Sequence, residues 1–404
     1  MVAAIIATVV GLLLLVVALV YYAVWRAAIR SRPPEPSLDE YPSVTVIRPI
    51  KGLDWGVEGN LKAALEDEYP GSVETFFVFD SKDEPALPLA RKAVEAHRDE
   101  PGRRTARILF CGEPPPGRTG KLNAMIRGLS DASGTLVAFC DSDVRTGPHA
   151  LTRLVDTLCR ESDTGSAFAP VVVTSKIRTF GDAGYALLLN GLYGPVTAAV
   201  AERNGYKLPF IMGQFMVLTR GAIKRIGGLS SLEGQLVDDM YLGARVRSVG
   251  LNNRVSSHRV SILQQGMTMK DFWGLYTRWI TFSRSGLPGW GFRMHAAMPV
   301  ALYWVALILA VVSLFNGWWL AALVNALSPA AVTWIYANLH HAFGGQRLGP
   351  IHRWAALFVL LLAPVIFVVS HIKRQVSWRG HVYELDSGAR LNSVSKSMKE
   401  QEGS

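Results

Sequence analysis

Thr135–Asp143 reads TLVAFCDSD. Its first part is a short apolar run of the kind that forms a buried strand, and it stops on two carboxylates, Asp141 and Asp143. Three similar runs precede it: Ser43–Pro49 (SVTVIRP), Glu74–Asp80 (ETFFVFD) and Arg107–Phe110 (RILF). Helical patterns near residues 57–68, 86–99 and 120–132 separate them. Apolar strands alternating with amphipathic helices predict one α/β domain from about Ser43 to Gln265, with a parallel sheet covered on both faces. Ligands of such sheets bind outside the carboxyl ends of the strands. Asp80 and Asp141 each close a strand, so both are expected at that edge.

The residue types there point to a chemistry. Two carboxylates two residues apart on a turn can face one cation. Hard cations such as Mg²⁺ or Mn²⁺ take oxygen ligands and share them with substrate phosphates. Asp141 and Asp143 are therefore candidate metal ligands, and a solvated acidic turn is the alternative. Asp80, with Asp83 and Glu84 behind it, suits a nucleoside base or ribose, or else an Asx turn ahead of a helix near Pro85. Lys121 and Asn123 lie in GKLNAM at a helix start. They suit a phosphate or the aspartate cluster, or plain capping. Asp238-Asp239 opens or enters a helix in QLVDDMYLGARVRSVG. One of the pair can act as a general base; an acidic pair stabilised by the helix dipole is the alternative. No G-x-G-x-x-G follows the first strand and no complete G-x-x-x-x-G-K-[ST] occurs, which argues against a dinucleotide redox enzyme and a P-loop ATPase.

Outside this domain the sequence turns apolar. Residues 2–25 carry no charge, and Arg26, Arg30 and Arg32 follow them. A run of that length spans a bilayer, and the basic flank predicts an uncleaved anchor (1–30) that holds the following domain in the cytoplasm. A polar linker covers 31–42, with SRPPEP at its start. Three further apolar runs, 297–315, 318–340 and 354–372, predict about three transmembrane helices within 296–372. The segment 266–295 mixes Trp273, Tyr276, Trp279 and Trp290 with Lys270, Arg278, Arg284 and Arg293. It reads as an interfacial amphipathic stretch. A basic polar tail, 373–404, closes the chain, and Ser387–Ser404 is expected to be unstructured.

Composition bounds the same picture. Of 404 residues only 18% are charged, and the mean hydropathy is +0.21, which together argue against a disordered chain and a purely soluble one. The net charge of +10 suits an anionic membrane face or a phosphate-bearing substrate. Nucleic acid is a poor partner for basic and aromatic residues set between spans. The spans carry no charged residue, which argues against an ion transporter. Cys111, Cys140 and Cys159 have no metal-ligand spacing and read as buried thiols.

An N-terminal anchor, a strand ending on Asp80, GKLNAM, CDSD, MGQFMVLTRGAIKRIGGL, VDDMYLG and TRW occur in that order. Together they resemble membrane glycosyltransferases of families 2 and 21, with a likeness to ceramide glucosyltransferases and bacterial hopanoid glycosyltransferases from about Pro42 to Phe282. The resemblance implies a GT-A-like, doubly wound mixed sheet in a multi-pass protein of a bacterial inner membrane. It assigns Asp80 and Asp83 to the nucleotide, and Asp141 and Asp143 to a divalent ion and the diphosphate. Asp239 would deprotonate the acceptor hydroxyl, with Asp238 beside it. Arg278 and Trp279 would end the [Q/R]-x-x-R-W motif near the diphosphate and acceptor. Leu275 stands where that motif has Gln or Arg, which counts against a processive polysaccharide synthase.

The implied reaction is metal-dependent, inverting transfer of a sugar from a UDP-sugar to a membrane-lipid hydroxyl, ceramide before all. Hopanoid, diacylglycerol and polyprenyl-phosphate acceptors share the same donor chemistry. A membrane scaffold pseudoenzyme is the non-enzyme alternative, and the presence of Asp143 and Asp239 weighs against it.

Overall fold

The computed structural model describes residues 1–31, 37–98, 104–286, 300–373, 375–379, 381–386 and 391–396. The chain divides into two compact units. A helical unit comprises Met1–Arg32, Val172–Glu202 and Gln265–Lys373; a sheet unit comprises Pro33–Val171, Arg203–Gln264 and Arg374–Ser404.

The first strands are β1 (Val44–Pro49), β2 (Val73–Phe79), β3 (Arg104–Phe110), β4 (Leu136–Cys140), β5 (Val144–Arg145) and β6 (Thr164–Phe168). The short β7 (Val171–Val173) falls where the chain passes into the helical unit. Next come β8 (Lys207–Leu208), β9 (Phe215–Thr219), β10 (Asn252–Val255) and β11 (Val260–Ile262). The strands β12 (Gln375–Trp378), β13 (His381–Leu385) and β14 (Leu391–Lys396) lie near the C-terminus.

The main sheet has eight strands in the order β3-β2-β1-β4-β9-β6-β10-β8. β3, β2, β1 and β4 are parallel, and the largely apolar β1, β2 and β4 are buried as a parallel sheet requires. β9 runs antiparallel between β4 and β6, so the whole is a mixed, doubly wound α/β sheet. The chain builds outward from β1 through β2 to β3 and then returns to β4 on the other side of β1. That reversal is the point where such sheets open a crevice at their carboxyl ends. The helix Val57–Leu65 and the helix Leu87–Arg98 share a core with Ile50, Phe77 and Phe79. The helix Gly120–Asp131 approaches β1 closely at Gly128, where a Cβ would lie 2.5 Å from Ile47. This contact fixes the helix whose first turn carries Lys121.

Three expectations need correction. The α/β domain does not run unbroken from Ser43 to Gln265, because Val172–Glu202 belongs to the helical unit. There a helix (Phe180–Ala186), a π-helical turn (Leu187–Tyr193) and a second helix (Gly194–Arg203) follow one another. The tail is not wholly unstructured, since β14 pairs with β13 in an antiparallel sheet. Among the cysteines only Cys140 is buried; Cys111 is half-buried and Cys159 exposed.

Among the described residues of the helical unit, three helices are long and apolar enough to cross a membrane: Val2–Arg30, Trp319–Ala342 and His352–Ser370. The first of the expected C-terminal runs gives a shorter apolar helix, Tyr303–Phe315. Trp290 and Arg293 lie outside the described residues. Val2–Arg30 packs on Trp319–Ala342 through small residues. Asn325 Nδ2 donates to Ala7 O (2.9 Å) across that interface, and a Cβ on Gly11 would come within 2.8 Å of the Asn325 amide. Close approach at small residues and a buried amide are how apolar helices associate without a hydrophobic driving force. The helix Met269–Gly286 is amphipathic, burying Phe272, Tyr276 and Ile280 while Lys270, Asp271 and Gly274 stay exposed.

Candidate active site

The Asp141-Ser142-Asp143 turn leaves the carboxyl end of β4 with its backbone pinned. Asp141 N donates to Gln214 O at 2.8 Å. Arg48, 1% exposed, donates through Nη2 to Asp141 O (2.8 Å) and Val144 O (2.6 Å). Asn60 Nδ2 donates to Ser142 O at 3.1 Å. Ser142 Oγ donates to Asp54. With the main chain held at this many points, the two carboxylates keep fixed positions.

Lys121 is the second residue of the helix Gly120–Asp131, whose N-terminus is capped by Thr119 Oγ1 accepting from Leu122 N at 3.1 Å. Its Nζ lies 2.6 Å from Asp141 Oδ1 and donates to Gly213 O at 3.1 Å. Gly213 in turn donates its N–H to Asp239 Oδ2 at 2.7 Å. Asp239 Oδ1 accepts from Met240 N at 2.7 Å, and Asp238 Oδ1 accepts from Asp239 N at 2.9 Å. Both aspartates thus open the helix Asp238–Ser248, where the dipole favours negative charge. A Cβ at Gly213 would sit 2.5 Å from that of Asp239, so glycine is the residue that lets the turn ahead of β9 pass this closely. The structure gathers Lys121, Asp141, Asp143, Asp238 and Asp239 into one electrostatic cluster.

Burial pushes Asp143 up to about 7, with the charges of Asp141 and Asp54 adding to the rise and Arg379 and Lys121 opposing it. Burial likewise pushes Asp238 up to about 6 against the pull of Lys121. Asp239 is raised by burial, again against Lys121. Burial alone would lower Lys121, but Asp141, Asp238 and Asp239 outweigh it and hold the ammonium protonated.

A second group stands at the ends of β1 and β2. Lys51 Nζ lies 2.7 Å from Asp80 Oδ2 and 2.7 Å from Glu84 Oε1. Glu84 Oε2 accepts from Gly52 N at 2.8 Å. Burial would raise both carboxyls. In Asp80 the hydrogen bonds from Glu84 and Lys51 outweigh burial and hold it below the usual range, whereas Glu84 is raised. Asp83, expected beside Asp80, is exposed; the buried acid of this turn is Glu84. Asn123 is buried and spends its amide on Cys111 O and Gly112 O, both at 3.2 Å. It fixes the loop after β3 and has little left for a ligand. Arg278 and Trp279 belong to the helical unit, where the Trp279 ring packs on Tyr185 and Tyr193 at 5.6 and 5.5 Å.

Lys51, Asp54 and Arg379 are site residues that the sequence did not single out. Lys51 directly follows the apolar run of β1, which is a signal of the same kind as Asp80 after β2. Asp54 and Arg379 are 325 positions apart and offer no local pattern.

The cluster fits a divalent cation. The carboxylates of Asp54, Asp141, Asp143, Asp238 and Asp239 outnumber the cations Lys121 and Arg379 that the described residues bring to them. Asp143 Oδ1 and Asp238 Oδ2 are buried and have no hydrogen-bond partner among the described residues. No group of three or more His, Cys, Asp or Glu among the described residues could hold a metal ion by itself. Mg²⁺ is commonly bound by one or two carboxylates, with substrate phosphates and water completing its shell.

A mixed α/β sheet with a lysine-anchored acidic cluster near its carboxyl edge, in a chain that also carries long apolar helices, fits a glycosyltransferase that works at a membrane. Residues 9–391 match the model of glycosyl transferase family 21, and the chain belongs to that family. It is 22% identical over 388 residues to ceramide glucosyltransferase 1 of Caenorhabditis elegans, covering 94% of this chain and 78% of that relative. Over 154 residues it is 30% identical to ceramide glucosyltransferase of Pyricularia oryzae, covering 34% and 31%. Among solved structures it is similar to the mannosyltransferase PcManGT of Pyrobaculum calidifontis, in complex with GDP-Man and Mn2+. That match has a TM-score of 0.46 and 16% identity, and covers 90% of this chain and 99% of that one.

Proposed function

We propose that this glycosyltransferase moves a sugar from a UDP-sugar to the primary hydroxyl of a ceramide-type membrane lipid, with inversion at the anomeric carbon. The observation that carries the reading is the Lys121–Gly213–Asp239 chain beside Asp141, which ties a base to the phosphate end of the crevice. Relatives named ceramide glucosyltransferase along most of the chain support the acceptor class.

In this reading Asp80, with Lys51 and Glu84 around it, takes the nucleoside, and Asn123 holds the adjoining loop. Asp141 and Asp143 hold Mg²⁺ or Mn²⁺, which supplies Lewis-acid stabilisation of the diphosphate. Lys121 adds a fixed positive charge on the same side. Asp239 keeps both oxygens anchored by backbone N–H groups while lone pairs remain for a substrate proton. Its raised pKa brings it nearer to the basicity of an efficient general base. It takes the acceptor hydroxyl proton as the new oxygen–carbon bond forms. The bond from the anomeric carbon to the phosphate oxygen breaks on the opposite face, and its electron pair leaves with the nucleoside diphosphate. Apolar helices long enough to cross a membrane support an acceptor drawn from the bilayer, and the basic flank after residue 25 supports a cytoplasmic side for the chain that follows it.

The test is product analysis. Protein in lipid nanodiscs is incubated with UDP-glucose, Mn²⁺ and ceramide, and the lipid is analysed by mass spectrometry and proton NMR. A β-linked hexosylceramide supports the reading; an α-linked product would overturn inversion, and unmodified ceramide beside another glycosylated lipid would overturn the acceptor.

A further inference from the structure

The tail after Ile372 has a place in the fold that its composition does not foretell. Gln375–Trp378, His381–Leu385 and Leu391–Lys396 pair as the antiparallel sheet β12-β13-β14, which belongs to the sheet unit. Three contacts tie it to loops of the candidate site. Arg379, in the turn between β12 and β13, donates through Nη1 to Asp54 Oδ1 (2.7 Å) and Lys51 O (2.8 Å), and through Nη2 to Asp54 Oδ2 (3.2 Å). Tyr383, 1% exposed, lies within electrostatic reach of the N–H of Gly120, the neighbour of Lys121. Leu391 N donates to Gly234 O at 3.0 Å.

Two features set Arg379 apart from a simple latch. Its φ is +51°, in the left-handed region that disfavours a side-chain-bearing residue, so its surroundings hold it there. Its guanidinium is also one side chain removed from the metal turn, because Asp54 accepts from Ser142 Oγ at the centre of Asp141-Ser142-Asp143. The positive charge of Arg379 acts on Asp143 and Asp141. A guanidinium has five N–H donors in a fixed fork, and the Asp54 and Lys51 contacts leave some of them for another oxygen. The side chain remains 33% exposed.

We infer that Arg379 is a donor-binding residue. Its guanidinium meets the donor's diphosphate beside Asp141 and Asp143, and Asp54 is the positioning residue that holds the fork. The C-terminal sheet is then a wall of the donor site, and donor binding needs the chain beyond the last apolar helix. This rests on the nucleotide-sugar reading given above.

The experiment is calorimetric titration of UDP and of UMP, each with Mn²⁺, into the full-length protein in nanodiscs. Arg379→Ala should weaken UDP roughly tenfold or more, the scale of one charge-assisted phosphate contact, and UMP by less than about threefold. Arg379→Lys should recover part of the UDP loss, and Asp54→Asn should weaken UDP less than Arg379→Ala does. Unchanged UDP affinity in Arg379→Ala would overturn the inference. Equal losses for UDP and UMP would overturn it too, since a purely structural latch acts on both. A wild-type protein that binds neither nucleotide would instead overturn the donor reading itself, and this inference with it.

Discussion

Lys121 Nζ stands 2.6 Å from Asp141 Oδ1, and the Gly213 carbonyl that it also bonds carries, on the same residue, the N–H held by Asp239. One ammonium therefore orders both the Asp141–Asp143 turn and the proposed base. Removing it leaves Asp141, Asp238 and Asp239 without their shared counter-charge. Lys121→Met should lose stability by about 3 kcal/mol or more, the usual result of breaking a buried pair, and should abolish turnover. Adding Asp141→Asn to that variant should restore thermal stability without restoring activity. Recovery of both would show that Lys121 only balances charge.

Gly213 gives a cleaner handle on geometry. Gly213→Ala places a Cβ about where Asp239 already packs, 2.5 Å from its Cβ and 2.8 Å from Oδ2. A displacement near 1 Å costs on the order of a hundredfold in rate. The variant should fold, bind UDP as the wild type does, and turn over on the order of a hundredfold more slowly. Loss of UDP binding in step with turnover would place Gly213 in the donor site instead.

The main sheet was legible because β1, β2 and β4 are buried along nearly their whole length and so appear as largely apolar runs, whereas the edge strand β3 is only partly buried. Their carboxyl ends, and with them Asp80 and Asp141, could be placed from the sequence alone. Elements that depend on partners far along the chain were not legible. The run Leu187–Tyr193 (LLLNGLY) has no period that separates strand from helix, and the structure makes it a π-helical turn. In the tail, HVYEL alternates as a strand should, but β12 and β14 on either side of it are polar and pass as linker. Asp83 was placed beside Asp80 by the family resemblance; it is exposed, and Glu84 is the buried acid of that turn.

Asp67 provides a pH dependence away from the site. Burial raises it to about 6, while the Leu151 N–H and the charges of Arg104 and His149 pull it down. A carboxyl raised in the folded state favours folding at low pH. That advantage shrinks as pH climbs from the unfolded value, near 3.8, through about 6. By linkage the swing is roughly 3 kcal/mol at most. Asp67→Asn keeps the acceptor for Leu151 N and removes the charge. Its melting temperature should change less than the wild type's between pH 7.5 and pH 5, and should equal or exceed it at pH 7.5. Parallel profiles would contradict the assignment.

In the helical unit, Asn325 Nδ2 bonds the Ala7 and Ala321 carbonyls at 2.9 and 2.8 Å. Polar contacts between apolar helices contribute about 0.6 kcal/mol on average. Asn325→Ala should therefore lower thermal stability slightly. Gly11→Leu, which drives a bulky side chain into the same amide, should lower it far more. Equal effects would show that the hydrogen bonds of Asn325 matter as much to this helix pair as its close packing does.

Nucleoside diphosphate release in nanodiscs decides whether the cluster around Asp239 transfers sugar to lipid. UDP-glucose, Mn²⁺ and ceramide are supplied together or one at a time. UDP release should need both Mn²⁺ and ceramide and should fall by at least about a thousandfold in Asp239→Asn, the scale of losing a general base with its positioned proton path. Release that is independent of lipid, or unchanged in Asp239→Asn, would contradict this mechanism.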